Sequence, residues 1–198
     1  MESKRNCKGL FLIFAGLLLI VAALCFLGYN LWDDRRASES VEAAVVELKA
    51  EIPEEAAYIP YPEVEMPVKT IDGVDYIGML EIPSQELELP IISEWSYAGL
   101  RIAPCRYVGT AYRDSMILAA HNYRTHFRCL NNLAAGEEIR FTDVEGNVFR
   151  YRVVLRETLE PTAIEEMQSG DWDLTLFTCT LGGQYRVTVR CERIDDRY

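Results

Sequence analysis

Residues 174–190 read Leu174-Thr-Leu-Phe-Thr-Cys-Thr-Leu-Gly-Gly-Gln-Tyr-Arg-Val-Thr-Val-Arg190, and this stretch carries the pattern that decides the fold. Two runs of apolar and β-branched residues flank Gly182-Gly183, so the segment predicts a β-hairpin. A two-residue Gly-Gly loop would set Leu181 opposite Gln184, Thr180 opposite Tyr185 and Cys179 opposite Arg186. Opposed residues share a sheet face, with Cβ atoms about 4.5–5.5 Å apart. A thiol held beside a guanidinium sits in an electropositive setting that favours thiolate. The structural alternative is a core cysteine, since free cysteine is among the most buried residue types. The same parity puts Arg186, Thr188 and Arg190 on the Cys179 face and Cys191 on the other. A Cys179–Cys191 disulfide is thereby disfavoured, and Cys179 is expected to be a free thiol.

Working outward, Met116-Ile-Leu-Ala-Ala120 reads as a buried strand ending at His121, just before the polar loop Asn122-Tyr-Arg-Thr-His126. Strand ends deliver functional side chains to loops. The chain holds two histidines, and His121 is the stronger candidate for a base working with Cys179; His126 is the weaker. Other short strands follow from alternation: Leu87, Leu89 and Ile91 against Glu86 and Glu88, and Phe149, Tyr151, Val153 and Leu155 against Arg150 and Arg152. Glu145-Gly146-Asn147 is a turn signal, and helical signal is confined to Phe127–Leu133 and Thr162–Gln168. From about Ile71 onward the chain therefore predicts a mostly β domain of about 125 residues, closed into a barrel.

The N-terminal part is different. Leu10–Tyr29 is an apolar run without a charge, about the length a helix needs to cross a bilayer. Lys4, Arg5 and Lys8 precede it, while Asp33, Asp34, Arg35 and Arg36 follow and cancel. The positive-inside rule then keeps the N-terminus in the cytoplasm and leaves everything after Trp32 outside. A cleaved signal peptide is the rival, but its apolar region is usually about 7–15 residues and ends at a small-residue site that this run lacks. Beyond it Val41, Ala44, Val45, Leu48 and Ile52 recur at helical spacing, and Pro53, Pro60, Pro62 and Pro67 stiffen the chain between that helix and the first strands. The expected organisation is a cytoplasmic N-terminus and transmembrane anchor over 1–32, a partly helical stalk over 33–70 and the β-domain over 71–198. The stalk is read as a spacer, with a lid over the domain as the other possibility.

Composition excludes several classes. Apolar residues make up 49% and charged residues 26%, which rules out wholesale disorder. The formal charge is −11, and because Met1–Trp32 carries +2, the rest stands at −13. A surface that acidic, with no basic stripe, repels phosphate backbones, so nucleic acid is not an expected partner. The six cysteines (Cys7, Cys25, Cys105, Cys129, Cys179 and Cys191) show no metal-ligand spacing, and two histidines make a zinc site hard to assemble. No cofactor is implied. Calcium modulation is left open, although the acidic residues form no recognisable ligand loop.

Taken together, four stretches resemble the sortases, membrane-anchored cysteine transpeptidases of Gram-positive bacteria. Leu174–Cys179 is similar to their TLxTC signature, and Ala120-His121-Asn122 falls where they carry Gly-His-Asn. Tyr76–Pro83 with Leu87–Ile91 resembles their first two strands, and Arg186–Arg190 the strand bearing their catalytic arginine. The resemblance spans roughly Asp75 to Arg193 in the family's order. Ala120 departs from the usual glycine. The sequence has no Asp-Pro lid motif and stops at Tyr198 without a second span, which disfavours the pilin-polymerising class. A class with a long helix before the cysteine strand fits imperfectly, since only Glu160–Asp173 separate Leu159 from Leu174. The class stays open.

The resemblance implies Cys179 as nucleophile, His121 as proton carrier and Arg186 as oxyanion donor. It implies cleavage of a Leu-Pro-x-Thr-Gly-like sorting signal on a secreted surface protein, and transfer to an amine of peptidoglycan or its precursor. Two rivals use the same residues differently. A thiol endopeptidase would release product to water, and a non-catalytic anchored β-domain would treat all three as packing or surface residues.

Overall fold

The computed structural model describes residues 3–54, 56 and 63–195, with side chains from residue 9 onward. Pro60 and Pro62 lie outside the described residues, as do the side chains of Lys4, Arg5, Cys7 and Lys8. The chain divides into two units, Met1–Arg36 and Ala37–Tyr198, and helix α1 (Ser3–Glu51) contributes to both. In the first unit the apolar side chains from Leu10 to Trp32 stand exposed around the helix. The helix reaches a mean hydropathy of 3.1 over its most apolar window, so it is long and apolar enough to cross a membrane.

The second unit is built on nine strands: β1 (Lys69–Ile71), β2 (Val74–Ile82), β3 (Leu87–Ile92), β4 (Cys105–Val108), β5 (Met116–Ala120), β6 (Glu138–Asp143), β7 (Val148–Leu159), β8 (Leu174–Cys179) and β9 (Arg186–Arg193). They lie in the order β1-β2-β3-β4-β5-β8-β9-β7-β6, and β2 also pairs with β6. That last pairing closes β2 to β9 into an eight-stranded barrel and leaves β1 as an appendix. Closure depends on Gly78, which pairs with Ile91 on one side and Asp143 on the other. A Cβ there would lie 2.1 Å from the Thr142 carbonyl oxygen, at φ +153. Only glycine lets β6 come that close.

Alternation fills the barrel. Leu174, Leu176, Val189 and Cys191 point inward on β8 and β9 and are fully buried, beside Leu118, Phe141 and Tyr151. The pattern Phe149, Tyr151, Val153 continues to Val153 and fails at Leu155, which is exposed. A bulge between Val153 and Leu155 against β9 inserts an extra residue and reverses the faces. The last part of α1 belongs to this unit: Ala37, Val41, Ala44 and Leu48 are buried along one helix face, and Val41, Ala44 and Leu48 join the domain core. Lys49 pairs with Glu88 on β3 at 2.5 Å.

The hairpin register is as expected, with Cys179 opposite Arg186 and Thr175 opposite Arg190. The loop is wider than the two-residue turn expected. The Gly183 N–H donates to the Thr180 carbonyl, so Leu181 and Gly182 occupy the centre of the turn. Gly183, at φ +70, follows in the left-handed region, and the Thr180 N–H reaches the Tyr185 carbonyl at 2.9 Å. The even count of loop residues preserves the parity.

Candidate active site

Three neighbouring strands place the candidate residues. β5 and β8 run parallel and in register, with Ala120 beside Thr178. The next residue on each chain is His121 and Cys179 respectively, so both emerge at the same end of adjacent strands. β9 returns antiparallel on the other side of β8 and brings Arg186 opposite Cys179. His121, Cys179 and Arg186 thus form a row across three strands. Thr178 alternates to the barrel interior, where its hydroxyl donates to the Ala120 carbonyl at 2.8 Å. That bond ties the cysteine strand to the histidine strand one residue before each candidate side chain.

All three residues line one cleft of about 250 Å³. Its floor includes Ala119 and Phe177, and Phe177 shares the Cys179 face by parity. One wall is aromatic: Trp95, Tyr97 and Tyr107, with Tyr107 edge-on to Phe177 at 5.5 Å and Trp95 edge-on to Tyr97 at 4.9 Å. The opposite wall is Glu160, Pro161 and Ala163 with Ile164 and Met167 of the short helix α2 (Ile164–Gln168). A more open groove of about 490 Å³ shares Trp95 and Tyr107 but contains none of the three candidate residues.

The thiols differ in setting. Cys179 is half-buried and free, at the edge of the cleft. Cys105 and Cys129 are also free, and burial pushes each thiol up to about 11. Burial raises Cys191 further still. Cys105 and Cys191 are buried, while Cys129 is half-buried like Cys179 but lies outside the cleft; loss of solvation disfavours thiolate at all three. The Arg186 guanidinium lies over the turn, donating from Nη1 to the Gly183 and Tyr185 carbonyls at 3.3 Å each. A guanidinium has five N–H donors, which leaves others for a ligand in the cleft. The His121 ring packs against Tyr123 at 5.0 Å, while His126, 5.1 Å from the same tyrosine ring, is fully buried and does not line the cleft. Arg190, the other arginine on this face, is buried and turned toward α2.

Sequence reasoning missed both walls. Phe177 could have been found from its parity with Cys179. Trp95 and Tyr97 follow β3 in an irregular stretch with no periodicity to read. Among the described residues, no group of three or more His, Cys, Asp or Glu is placed to hold a metal ion.

A β-barrel closed by its own second strand, with cysteine, histidine and arginine at the ends of three neighbouring strands, is an arrangement with known relatives. Residues 80–194 match the family model of the Sortase domain, more than half of the chain. The chain belongs to the sortase family. Among solved structures it is similar to sortase C1 from Streptococcus suis, at 28% identity and a TM-score of 0.55 over 61% of this chain and 74% of that one. The Group B Streptococcus pilus island 1 sortase C2 shares 24% identity and a TM-score of 0.55 over 79% of this chain and 98% of its own. Sortase A from Corynebacterium diphtheriae has the same fold at 19% identity and a TM-score of 0.55, covering 81% and 85%. No curated protein matches the chain at a significant level. These structures carry A and C labels alike, so the likeness is to the family and not to one class.

Proposed function

We propose that this sortase is a cysteine transpeptidase that cleaves a Leu-Pro-x-Thr-Gly-like sorting signal and transfers the protein to a cell-wall amine. The observation that carries the reading is the row of His121, Cys179 and Arg186 opening into one cleft. In the first half-reaction the Cys179 thiolate adds to the scissile carbonyl carbon. The developing oxyanion accepts hydrogen bonds from the Arg186 guanidinium, whose charge stabilises it in a site partly shielded from water. The C–N bond breaks as His121, as imidazolium, gives its proton to the departing amine, leaving a thioester on Cys179. In the second half-reaction an incoming amine attacks the thioester. His121 takes its proton, and the Cys179 thiolate leaves.

The apolar and aromatic walls suit an extended peptide laid across the strand ends, and they exclude water that would otherwise compete for the thioester. The N-terminal apolar helix would hold the enzyme at the membrane, with the charge balance of its flanks leaving the barrel outside. Substrates held at the same surface then meet the cleft at high effective concentration.

Mass spectrometry of the protein after exposure to a peptide library tests this directly. A Cys179-linked acyl adduct, absent in Cys179→Ala and released faster by an added amine than by water, is the expected result. An adduct discharged equally fast with and without the amine would make the protein a thiol endopeptidase.

A further inference from the structure

Arg190 is a buried cation that the reaction does not use. It lies four residues beyond Arg186, about 13 Å along the strand, too far to reach the reacting carbonyl. Only 2% of its surface is exposed, yet every guanidinium nitrogen is engaged. Nε donates to the Glu157 carboxylate at 2.8 Å, and Nη1 to the Met167 carbonyl at 2.7 Å and the Thr175 hydroxyl at 3.1 Å. Nη2 donates to the Glu166 carbonyl at 2.6 Å. Thr188, two residues earlier on β9, sets its hydroxyl 3.9 Å from the Met167 sulfur.

Two of those acceptors, Glu166 and Met167, are carbonyls at the C-terminal end of α2, which no further helical turn satisfies. A helix of five residues has almost no stability of its own, and α2 also lacks a side-chain N-cap. Of its residues only Met167 is buried, while Ile164 stands 55% exposed. Apolar packing therefore does little to fix it. Burying a guanidinium is costly unless its charge and donors are met, and here they are met by α2 itself together with Glu157. A planar fork can hold two successive carbonyls and a carboxylate at once, which an ammonium cannot.

The same short segment supplies Glu160, Pro161, Ala163, Ile164 and Met167 to the cleft. We infer that Arg190, charge-paired with Glu157, is a positioning residue that latches α2 onto the sheet and holds the substrate-binding wall of the cleft in place. This rests on the cleft being the peptide site. The latch governs how well peptide binds, and the chemical step at Cys179 does not depend on it.

The test uses the full-length chain in detergent micelles, with hydrogen exchange read by mass spectrometry and kinetics on a sorting-signal peptide. In Arg190→Lys the amides of residues 163–168 should exchange at least about tenfold faster, with β8 and β9 unchanged. KM should rise about five- to thirtyfold while kcat stays within about threefold, and the rate of Cys179 alkylation by iodoacetamide should not move. Glu157→Gln, at a carboxylate 32% exposed, keeps the protein folded if the arginine variant does not fold. It should give the same pattern at about two- to fivefold in KM. Unchanged exchange over α2 in the folded variants would overturn the latch, as would a fall in kcat with KM unmoved. A wild-type protein that turns over no such peptide would overturn the peptide-site reading and the binding role with it; the exchange result decides the latch by itself.

Discussion

Two arginines share a face with Cys179, and their surroundings assign them different work. Arg186 is half-buried at the cleft and donates to turn carbonyls at 3.3 Å, whereas Arg190 engages every guanidinium nitrogen inside the fold. Arg186→Ala is expected to lower kcat by about 10²–10³, the effect of losing one oxyanion donor, and Arg186→Lys to recover only part of it. If Arg186 merely ties the turn, its loss costs under about 1 kcal/mol and turnover is unchanged. Steady-state kinetics on a fluorogenic sorting-signal peptide separate the two. The thiols offer a second prediction. At pH 7.5 a thiol with a pKa near 11 is only about 0.03% thiolate, so Cys105 and Cys129 should resist iodoacetamide. In the 37–198 chain, peptide mapping should find Cys179 alkylated first, with Cys105, Cys129 and Cys191 untouched. The pairing of Cys179 with Arg186 was readable from residues 174–190 because parity in a hairpin is set by loop count. The widening of the turn was not, since it depends on where Gly183 takes up its left-handed conformation.

Between elements, the site depends on how β5, β8 and β9 are held together. Met116–Ala120 and Leu174–Cys179 were each recognisable as apolar runs, but their parallel adjacency is a crossover that no local pattern encodes. The buried bond from Thr178 to the Ala120 carbonyl lies where this pairing meets the cleft. Thr178→Val keeps the shape and removes the donor, and should cost about 1 kcal/mol of stability while leaving the Ala120 carbonyl unsatisfied. A thermal shift of a few degrees, with a few-fold fall in kcat, is the expected outcome. Gly78 is the corresponding point of barrel closure. Gly78→Ala forces a Cβ against the Thr142 backbone and should destabilise the domain by roughly 1–3 kcal/mol, measured by urea unfolding. An unchanged midpoint would mean that the β2–β6 seam is looser than described.

For the whole molecule, the division at Arg36 predicts which truncations survive. A chain beginning at Ala37 keeps every core residue of the second unit and should be soluble and folded, with peptide turnover intact. A chain beginning at Pro53 loses Val41 and Leu48 from the core, each worth about 1.5–3 kcal/mol of burial, and Ala44 at about 0.8 kcal/mol, and should melt far lower or not fold. Circular dichroism melts of the two chains decide this. Alkali acts on the same core. Burial raises Tyr76 from its ordinary 10.0 to about 12 and Cys105 and Cys129 from 9.0 to about 11. The folded state therefore keeps protons that the unfolded chain would release, so this stability is fully present below about pH 9 and is lost as pH rises through 11–12. The urea midpoint of the 37–198 chain should be flat from pH 7 to 8.5 and fall steadily above 9.

The sequence by itself determined the apolar helix, the β content, the hairpin register and the identity of the three candidate residues. Each follows from a local rule: uninterrupted hydropathy, period-two alternation, a turn between strands, a short run of residues around Cys179 and Arg186, and an apolar strand that ends at His121. Only the tertiary structure decided that His121 lies beside Cys179, that Val41, Ala44 and Leu48 belong to the core, and that Arg190 faces α2 and not the cleft. Those depend on which strands become neighbours when the barrel closes. Strand order is set by the packing of the whole sheet, and no spacing along the chain records it.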